Sequence, residues 1–509
     1  TSGNLAYGFM MADQGLLLAP LEAEHLFGEQ ASLGLAAMAV CCGLSQLTGP
    51  AAGRWSDRHR SRWGRRRPCM MMAIAAIWFL TGCLSICSDL QATNTFMFAF
   101  LLQQFAWNVM QTVQAGLVPD LVVSEQRGVA GGATAANTLA GALGALIGVR
   151  FLGGLGLRAH YVMTSVFGLA CCLTVCFAAN EKPTNTVAEK QDANPFNLLL
   201  HIKDCYQLDV NKHPQFAKLL VSKTLYCASV MVKGFLLFFI QDTFILGDAQ
   251  REQAIVGDTA VAAEATAALA AVAAMALLDA AAAEMRAGGA PKKREEEVVK
   301  PDNGLATFGE ECPEMSSQTF VGAARARLAA MTGSCWMALL WFGPPSVGFG
   351  VLKDRESLIR LGGFVDNIGL SHTWSPYMVL GTAIWGIGQG VYLAGDQALS
   401  YALLPDLEEA SRLLGLTSVC AAAGAVLGGS AAGSLLYAFG GSIGGPEQSL
   451  NTSLPPPIQA SPPSHAGGGP AAPGYAYPGY AAIFILASVL SGLCCAVLST
   501  IRPPAEPGS

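Results

Sequence analysis

The sequence predicts an all-α, polytopic membrane protein of twelve transmembrane helices arranged as two pseudo-repeats of six. Three observations predict it. Charged residues make up 13% of the 509 and hydrophobic residues 52%, with a mean hydropathy of +0.41. Soluble domains carry about 25% charge, so this chain lacks the polar surface that soluble domains of its total length need. Apolar runs of the ~20 residues that cross a bilayer recur along the chain, without the polar–apolar alternation of strands. The same polar punctuation then returns in each half. Hydrophobicity excludes disorder over most of the length, size excludes a small disulfide scaffold, and a net charge of −6 argues against a nucleic-acid partner.

The runs are 4–21, 31–52, 69–89, 95–118, 128–152, 160–180, 217–246, 259–284, 328–350, 376–402, 414–438 and 479–501. The eighth is the weakest, being almost all Ala with Glu264 and Asp279; the ninth is clearest from Cys335 to Phe349. The first is too long for a signal peptide and lacks its cleavage chemistry. Between spans 2 and 3 lie Arg54, Arg58, Arg60, Arg62, Arg65, Arg66 and Arg67, whereas the loop between spans 1 and 2 holds only acids, Glu22, Glu24 and Glu29. Basic loops face the cytosol, so the loops after even-numbered spans and both termini are predicted cytosolic; nothing selects plasma membrane over organelle. Anionic headgroups are the expected neighbours of the 2–3 loop.

The predicted organisation is a bundle over 1–180, a cytosolic linker over 181–216, a bundle over 217–501 and a cytosolic tail over 502–509. The second bundle carries a cytosolic insertion over 285–327, with Lys292-Lys293-Arg294 next to Glu295-Glu296-Glu297. Its non-cytosolic insertion, 439–478, is rich in Pro, Gly and Ser and reads as flexible. It contains Asn451-Thr452-Ser453, a glycosylation acceptor pattern. Most of the 15 cysteines fall in apolar runs, Cys205 and Cys312 being the exceptions, and read as packing residues. No CxxC pair with zinc-finger context, HExxH or phosphate-cradling glycine loop occurs, so neither metal, cofactor nor enzymatic activity is predicted.

The repeat is seen at Val118-Pro119-Asp120-Leu121, followed by Arg127-Gly128, and at Leu404-Pro405-Asp406-Leu407, followed by Arg412 and Gly415. Gln103 and Gln111 fall opposite Gln389 and Gln397 at the same offset. Parallel six-span repeats characterise one transporter architecture. Spans 5 and 11 are glycine-rich (Gly128, Gly132, Gly141, Gly144, Gly148; Gly415, Gly424, Gly428, Gly429, Gly433) and span 8 is alanine-rich. Such faces let backbones approach, as rocking helices or plain helix packing require.

Gly49-Pro50 ends span 2, and Gly53-Arg54-Trp55-Ser56-Asp57-Arg58-His59-Arg60-Ser61-Arg62-Trp63-Gly64-Arg65-Arg66-Arg67-Pro68 follows. This resembles the loop 2–3 signature of the major facilitator superfamily, and the string SDR…SRWGRRRP resembles its glycoside–pentoside–hexuronide and sucrose/proton symporter branch. The resemblance implies the major facilitator fold, a monomer, and a cytosolic gate over Gly53, Asp57, Arg58, Gly64, Arg65, Arg66, Asp120, Arg127, Asp406 and Arg412. Physically, Asp57 can pair with Arg66, cap a following helical segment or meet a helix terminus from the other half. Contacts made only when that side is closed would bias alternating access; fixing topology and touching lipid explain the arginines equally simply. Gly49 and Ser45 stand where melibiose-type relatives carry aspartates, and Gln104 and Ala115 where sucrose carriers carry an acid and an arginine. The resemblance therefore implies neither a sodium site nor sucrose.

Spans 1, 4, 7 and 10 resemble those that line the cavity of this fold. Span 4 bears Gln104, Trp107, Asn108, Gln111 and Gln114 on one helical face; span 10 bears Trp385, Gln389, Tyr392 and Asp396 at helical spacing, next to Gln397. Polar stripes within a membrane face protein or water. Amides bond hydroxyls and rings stack on the C–H face of a sugar; interhelical glue uses the same residues. Asp13 and Asp396 are candidate proton carriers, with Lys223, Lys233 and Asp242 as possible partners. The expected function is proton-coupled symport of a small solute, a sugar or glycoside. A uniporter or symporter of an organic anion or nucleoside, or a non-transporting receptor on the same fold, are the alternatives; an anion carrier would place Arg in spans 1, 4 and 10, which contain none.

Overall fold

The computed structural model describes residues 2–28, 31–123, 126–152, 157–179, 181, 203–235, 249–288, 317–351, 376–440, 442–443, 474–475 and 477–502. Asp242, Cys312, the Asn451 triplet, most of the linker and most of both insertions lie outside them. All twelve expected spans correspond to helices over their described residues, span 7 being described only to Phe235. Span 1 is α1 (Ser2–Asp13), a π-helical turn (Gln14–Leu18) and α2 (Ala19–Phe27). Span 2 is α3 (Ala31–Ser45), a 3-10 turn (Gln46–Thr48) and α4 (Gly49–Arg58). Spans 3 and 4 are α5 (Arg67–Asp89) and α6 (Thr93–Ala115), followed by the short α7 (Leu117–Leu121). Spans 5 and 6 are α8 (Arg127–Leu152) and α9 (Leu157–Ala178). The second set comprises α10 (Pro214–Val230), extended by a 3-10 turn (Met231–Phe235), α11 (Ala249–Gly288), α12 (Ser317–Val351), α13 (Pro376–Ala402), α14 (Ala410–Gly440) and α15 (Tyr477–Ser499). A two-residue antiparallel pairing of β1 (Ser442–Ile443) with β2 (Gly474–Tyr475) is the strand content among the described residues.

Six segments meet a strict test of length and apolar composition for a crossing: Arg67–Asp89, Arg127–Gly148, Leu157–Ala178, Asp258–Leu278, Ala410–Leu436 and Gly479–Ser499. Spans 1 and 2 are broken by π or 3-10 turns, and spans 4 and 10 carry polar stripes. Large apolar side chains point outward along the helices: Trp78 and Phe79 on α5, Val162 and Phe177 on α9, Leu269 and Leu277 on α11, Val489 on α15. In water such a surface would aggregate; against hydrocarbon it is solvated.

Core clusters follow the two sets of helices. One runs from Phe216 to Ile501 around Tyr226, Trp341, Trp385 and Tyr392. Two others lie among α1–α9, around Met70, Trp107 and Met110 and around Phe96, Phe100 and Tyr161. A fourth joins the sets: Ala135, Ala136 and Leu139 of α8 meet Ala267, Ala271 and Ala274 of α11 and Ala394 of α13. The weakest span by sequence is thus the alanine-rich half of a seam, where small side chains permit close approach. A Cβ on Gly131 would lie 2.5 Å from the Ala398 backbone, and one on Gly132 2.8 Å from Met275. The span 11 glycines act differently. Gly424 and Gly428 press on α10 within their own set, Gly415 meets Gly49 across the seam, and Gly429 has open space.

Connections after even-numbered spans gather at one end. Arg54 reaches Asp204 at 3.1 Å, the Arg66 N–H bonds Glu181 Oε2 at 3.0 Å, and Lys218 reaches the Thr500 carbonyl at 2.8 Å. At the other end Arg158 grips Asp89 at 2.8 Å, and Glu22 accepts bonds from Tyr161 (2.7 Å) and Ser88 (2.9 Å). An alternating path of twelve crossings produces this sorting.

Candidate functional site

At the arginine-rich end, α4 breaks off at His59 and the chain turns back through Gly64, whose φ of +95° suits glycine. The turn delivers Arg65 and Arg66 to the start of α5. Arg66 is 0% exposed. Its Nη1 bonds Asp57 Oδ1 at 2.6 Å and the Ser411 hydroxyl, and its Nε bonds Asp120 Oδ2 at 2.7 Å. Arg65 takes the other oxygen of Asp120 at 2.5 Å and reaches the Glu408 carbonyl at 3.4 Å. Asp57 also accepts the backbone N–H groups of Ser411 (3.3 Å) and Arg412 (2.9 Å), at the first turn of α14. A carboxylate there satisfies orphan donors and meets the positive end of the helix dipole. Burial pushes the Asp57 carboxyl up, against the pull of Arg66 and the Arg412 N–H. Burial alone would lower the Arg66 guanidinium, but Asp120 and Asp57 outweigh it and hold it above its ordinary value.

Two glycines make room for this network. A Cβ on Gly53 would sit 2.4 Å from the Ser411 backbone, and one on Gly116 2.6 Å from Arg66 Cζ. Gly116, Ser56, Glu181 and Ser411 were not singled out by sequence, since only the folded chain brings them to Arg66. The remaining expected gate residues sit differently. Arg127 donates to the Pro119 and Val122 carbonyls, and Arg412 to Glu409 and the Gln207 carbonyl. Asp406, the repeat counterpart of Asp120, is exposed and accepts the Glu408 N–H at 2.8 Å. Arg58 is exposed, with Trp55 and Trp63 exposed on the same connection, a composition typical of a membrane interface.

Within the first set, polar groups pair between helices. Gln104 Nε2 donates to Gln14 Oε1 (3.0 Å), Gln14 Nε2 to Gln103 Oε1 (3.2 Å) and Gln103 Nε2 to Thr81 Oγ1 (2.8 Å). Asn108 Nδ2 donates to Ser45 Oγ at 2.7 Å, leaving its buried Oδ1 without a partner among the described residues. Gln111 is half-buried. Gln114 packs on Gly3 of α1. Trp107 lies apart from the other stripe residues, inside the bundle against Ile77, Thr164 and Gly168. Asp13 is 0% exposed and pairs with His160 Nδ1 at 2.8 Å and with the Thr164 hydroxyl. His160 carried no sequence signal, being a lone histidine near the start of an apolar span.

The second set pairs charges. Lys223 Nζ lies 2.8 Å from Asp396 Oδ2, and Asp396 is 0% exposed. Beside them the Tyr226 and Tyr392 rings stack at 3.8 Å. Farther along α10, Lys233 Nζ meets Gln389 Oε1 (2.9 Å), Glu264 Oε1 (3.3 Å) and the face of Trp385 (4.1 Å to the centroid). The Lys233 and Glu264 side chains are 30% and 17% exposed. Trp385 Nε1 is buried without a hydrogen-bond partner among the described residues. Gln397 is half-buried on α13, where its backbone nears Gly131 across the seam.

The sequence model of the Major Facilitator Superfamily matches residues 3–287, more than half of the chain. The chain belongs to the major facilitator superfamily. Solved major facilitator structures agree in fold. A bacterial homologue of the iron transporter ferroportin in outward-facing state aligns at 13% identity over 98% of each chain, with a TM-score of 0.59. The proton:xylose symporter XylE bound to 6-bromo-6-deoxy-D-glucose aligns at 10% identity over 99% of this chain and 94% of its own, with a TM-score of 0.58. The human organic anion transporter MFSD10 (TETRAN) aligns at 13% identity over 98% and 96%, with a TM-score of 0.56. Such identities carry the fold alone. No curated protein sequence matches. As a major facilitator protein the chain is a multi-pass membrane transporter of small solutes, and no catalytic family is indicated.

Proposed function

We propose that this transporter moves a neutral polyhydroxyl solute, a sugar or glycoside, by proton-coupled symport, its two six-helix halves (1–180 and 217–501) rocking about the α8–α11 and α4–α14 seams. The observation that carries the solute class is the pairing of both span 7 lysines with carboxylates: Lys223 with Asp396 and Lys233 with Glu264. An organic anion needs an uncompensated cation; these lysines offer none. Gln111, Gln389 and the Trp385 face supply hydroxyl partners and a stacking surface, and Tyr392, Gln397 and Gln114 flank them on the same helices. Gln104 and Asn108 hold α1, α3 and α6 together and act on the solute through that scaffold. Of the buried acids Asp13 and Asp396, one couples the proton. The Arg66–Asp57–Asp120 network is the gate that shuts the arginine-rich end, which the positive-inside rule puts in the cytosol with both termini. The glycoside–pentoside–hexuronide and sucrose/proton branch is the part of the superfamily this reading fits.

The test is uptake of labelled glucose, xylose and sucrose by proteoliposomes holding the purified protein under an imposed pH gradient. Accumulation of at least one sugar, abolished by a protonophore, is expected. Entry of a labelled organic anion with exclusion of all three sugars would overturn the solute class, and sugar entry indifferent to the pH gradient would overturn the coupling.

A further inference from the structure

Apart from the Arg66–Asp57 pair at the arginine-rich end, the two halves each bury one acid–base pair within their bundles, and these two differ in chemistry. Asp13 faces an imidazole and Asp396 an ammonium. Imidazole is the side chain whose charge ordinarily changes between about pH 5 and pH 8, whereas an ordinary ammonium changes only near about pH 10. We propose that Asp13 and His160 together bind one exchangeable proton within the membrane, with His160 the group that takes it up, while Lys223–Asp396 stays a fixed ion pair. The coupling role of this pair rests on the symport reading; its proton binding does not.

Geometry and charge both support the assignment. His160 Nδ1 sits 2.8 Å from Asp13 Oδ1, the second carboxylate oxygen accepts the Thr164 hydroxyl, and both titratable side chains are buried. With the imidazole protonated the pair is neutral overall; without the proton a lone carboxylate charge remains in the bundle, which is costly unless water reaches it. Protonation therefore favours the dry arrangement, and proton loss favours any state that opens the pair to water. The elements around it bring few competing charges. At this end of the bundle the titratable groups include Tyr161 on α9, Glu22 and His25 on α2, and Cys83, Cys87 and Asp89 on α5, with Arg158 held by Asp89; Tyr7 on α1, Cys69 on α5, Arg127 on α8 and Cys171, Cys172 and Cys176 on α9 lie farther along their helices. α6 offers the amides Gln103 and Gln104, and α8 the hydroxyls Thr134 and Thr138 and the amide Asn137. A cleft of about 290 Å³ at the far end from the arginines is lined by His25, Ser88, Arg158 and Tyr161 among others, so water reaches that end of α9. The proton comes from bulk water and returns to it; no covalent bond changes. The π turn that begins at Gln14, immediately after Asp13, is a local irregularity of the kind that recurs at functional sites.

The experiment needs no solute. Purified protein in nanodiscs is jumped from about pH 8 to about pH 6, and proton uptake is read with an indicator dye. Wild type is expected to take up about one proton per chain more than His160→Gln. Asp13→Asn is expected to lose a similar amount, and the double variant no more than either single one, because the two groups share one proton. The paired replacement Lys223→Gln with Asp396→Asn should take up as much as wild type. His160→Asn serves if the Gln variant fails to fold. Equal uptake by wild type and folded His160 variants, additive losses in the double variant, or a loss on replacing Lys223 with Asp396 would each overturn the proposal. Sugar uptake then separates the readings: proton binding without sugar movement sinks the solute class and leaves this site standing.

Discussion

The first six helices and the last six bury polarity by different means. The first set threads a relay of amides from Gln104 through Gln14 and Gln103 to Thr81 and adds one acid–imidazole pair. The second set buries a full ion pair and stations a lysine between a carboxylate, an amide and an indole face. Amide contacts between membrane helices are weak and interchangeable; a buried ion pair is strong only as a pair. Away from the Arg66–Asp57–Asp120 network, the first half can therefore rearrange its polar contacts cheaply, while the interior of the second is pinned by its charges. Duplicated architecture does not oblige duplicated chemistry.

The largest effect that would break this comparison is at Lys223. Lys223→Met leaves Asp396 charged and unpartnered, and should cost about 3–5 kcal/mol of stability in thermal unfolding. Replacing both, Lys223→Met with Asp396→Leu, should recover most of it; a double variant as unstable as the single one would show that the charges do not act as a pair. The repeated Pro-Asp turns come next. Asp120→Asn weakens bonds to two guanidiniums and should cost about 2–4 kcal/mol, whereas Asp406→Asn alters one exposed turn contact and should cost under about 0.5 kcal/mol. Equal losses in denaturation would mean the turns are equivalent after all.

Gly53→Ala sharpens the comparison where the halves meet. A methyl 2.4 Å from the Ser411 backbone must push α4 from α14, at about 1–3 kcal/mol. Cys205, buried at that end, should then react faster with an impermeant maleimide when labelling is resolved by mass spectrometry. An unchanged rate would separate Gly53 from closure. The smallest effect belongs to the amide relay: Gln103→Leu should cost about 0.6 kcal/mol. A loss several times larger would make the first half as pinned as the second.

Some of these contacts were legible beforehand. The run from Gly53 to Pro68 implied that Asp57 pairs with Arg66 or meets a helix end from the other half, and it does both, since a buried carboxylate has oxygens for each. Asp120 stood out as half of a repeat, but not as the ligand of Arg65 and Arg66, because the repeat says nothing about partners. The face of span 4 was legible as polar, with solute binding and bonding between helices both left open; Gln104 and Asn108 take the second use, and the inward turn of Trp107 was not legible. Periodicity reports that residues share a face and leaves open what the face meets.

By itself, the sequence determined that the chain crosses a bilayer twelve times, which end carries the arginines, and where the two halves repeat. Hydrophobic run length, charge placement and local turn chemistry are properties of short segments, and a bilayer enforces them segment by segment. The tertiary structure alone decided which buried groups pair: His160 with Asp13, Lys223 with Asp396, Asp120 with two arginines. Those partners come from different helices, and a pairing exists only once packing has taken both groups out of water together.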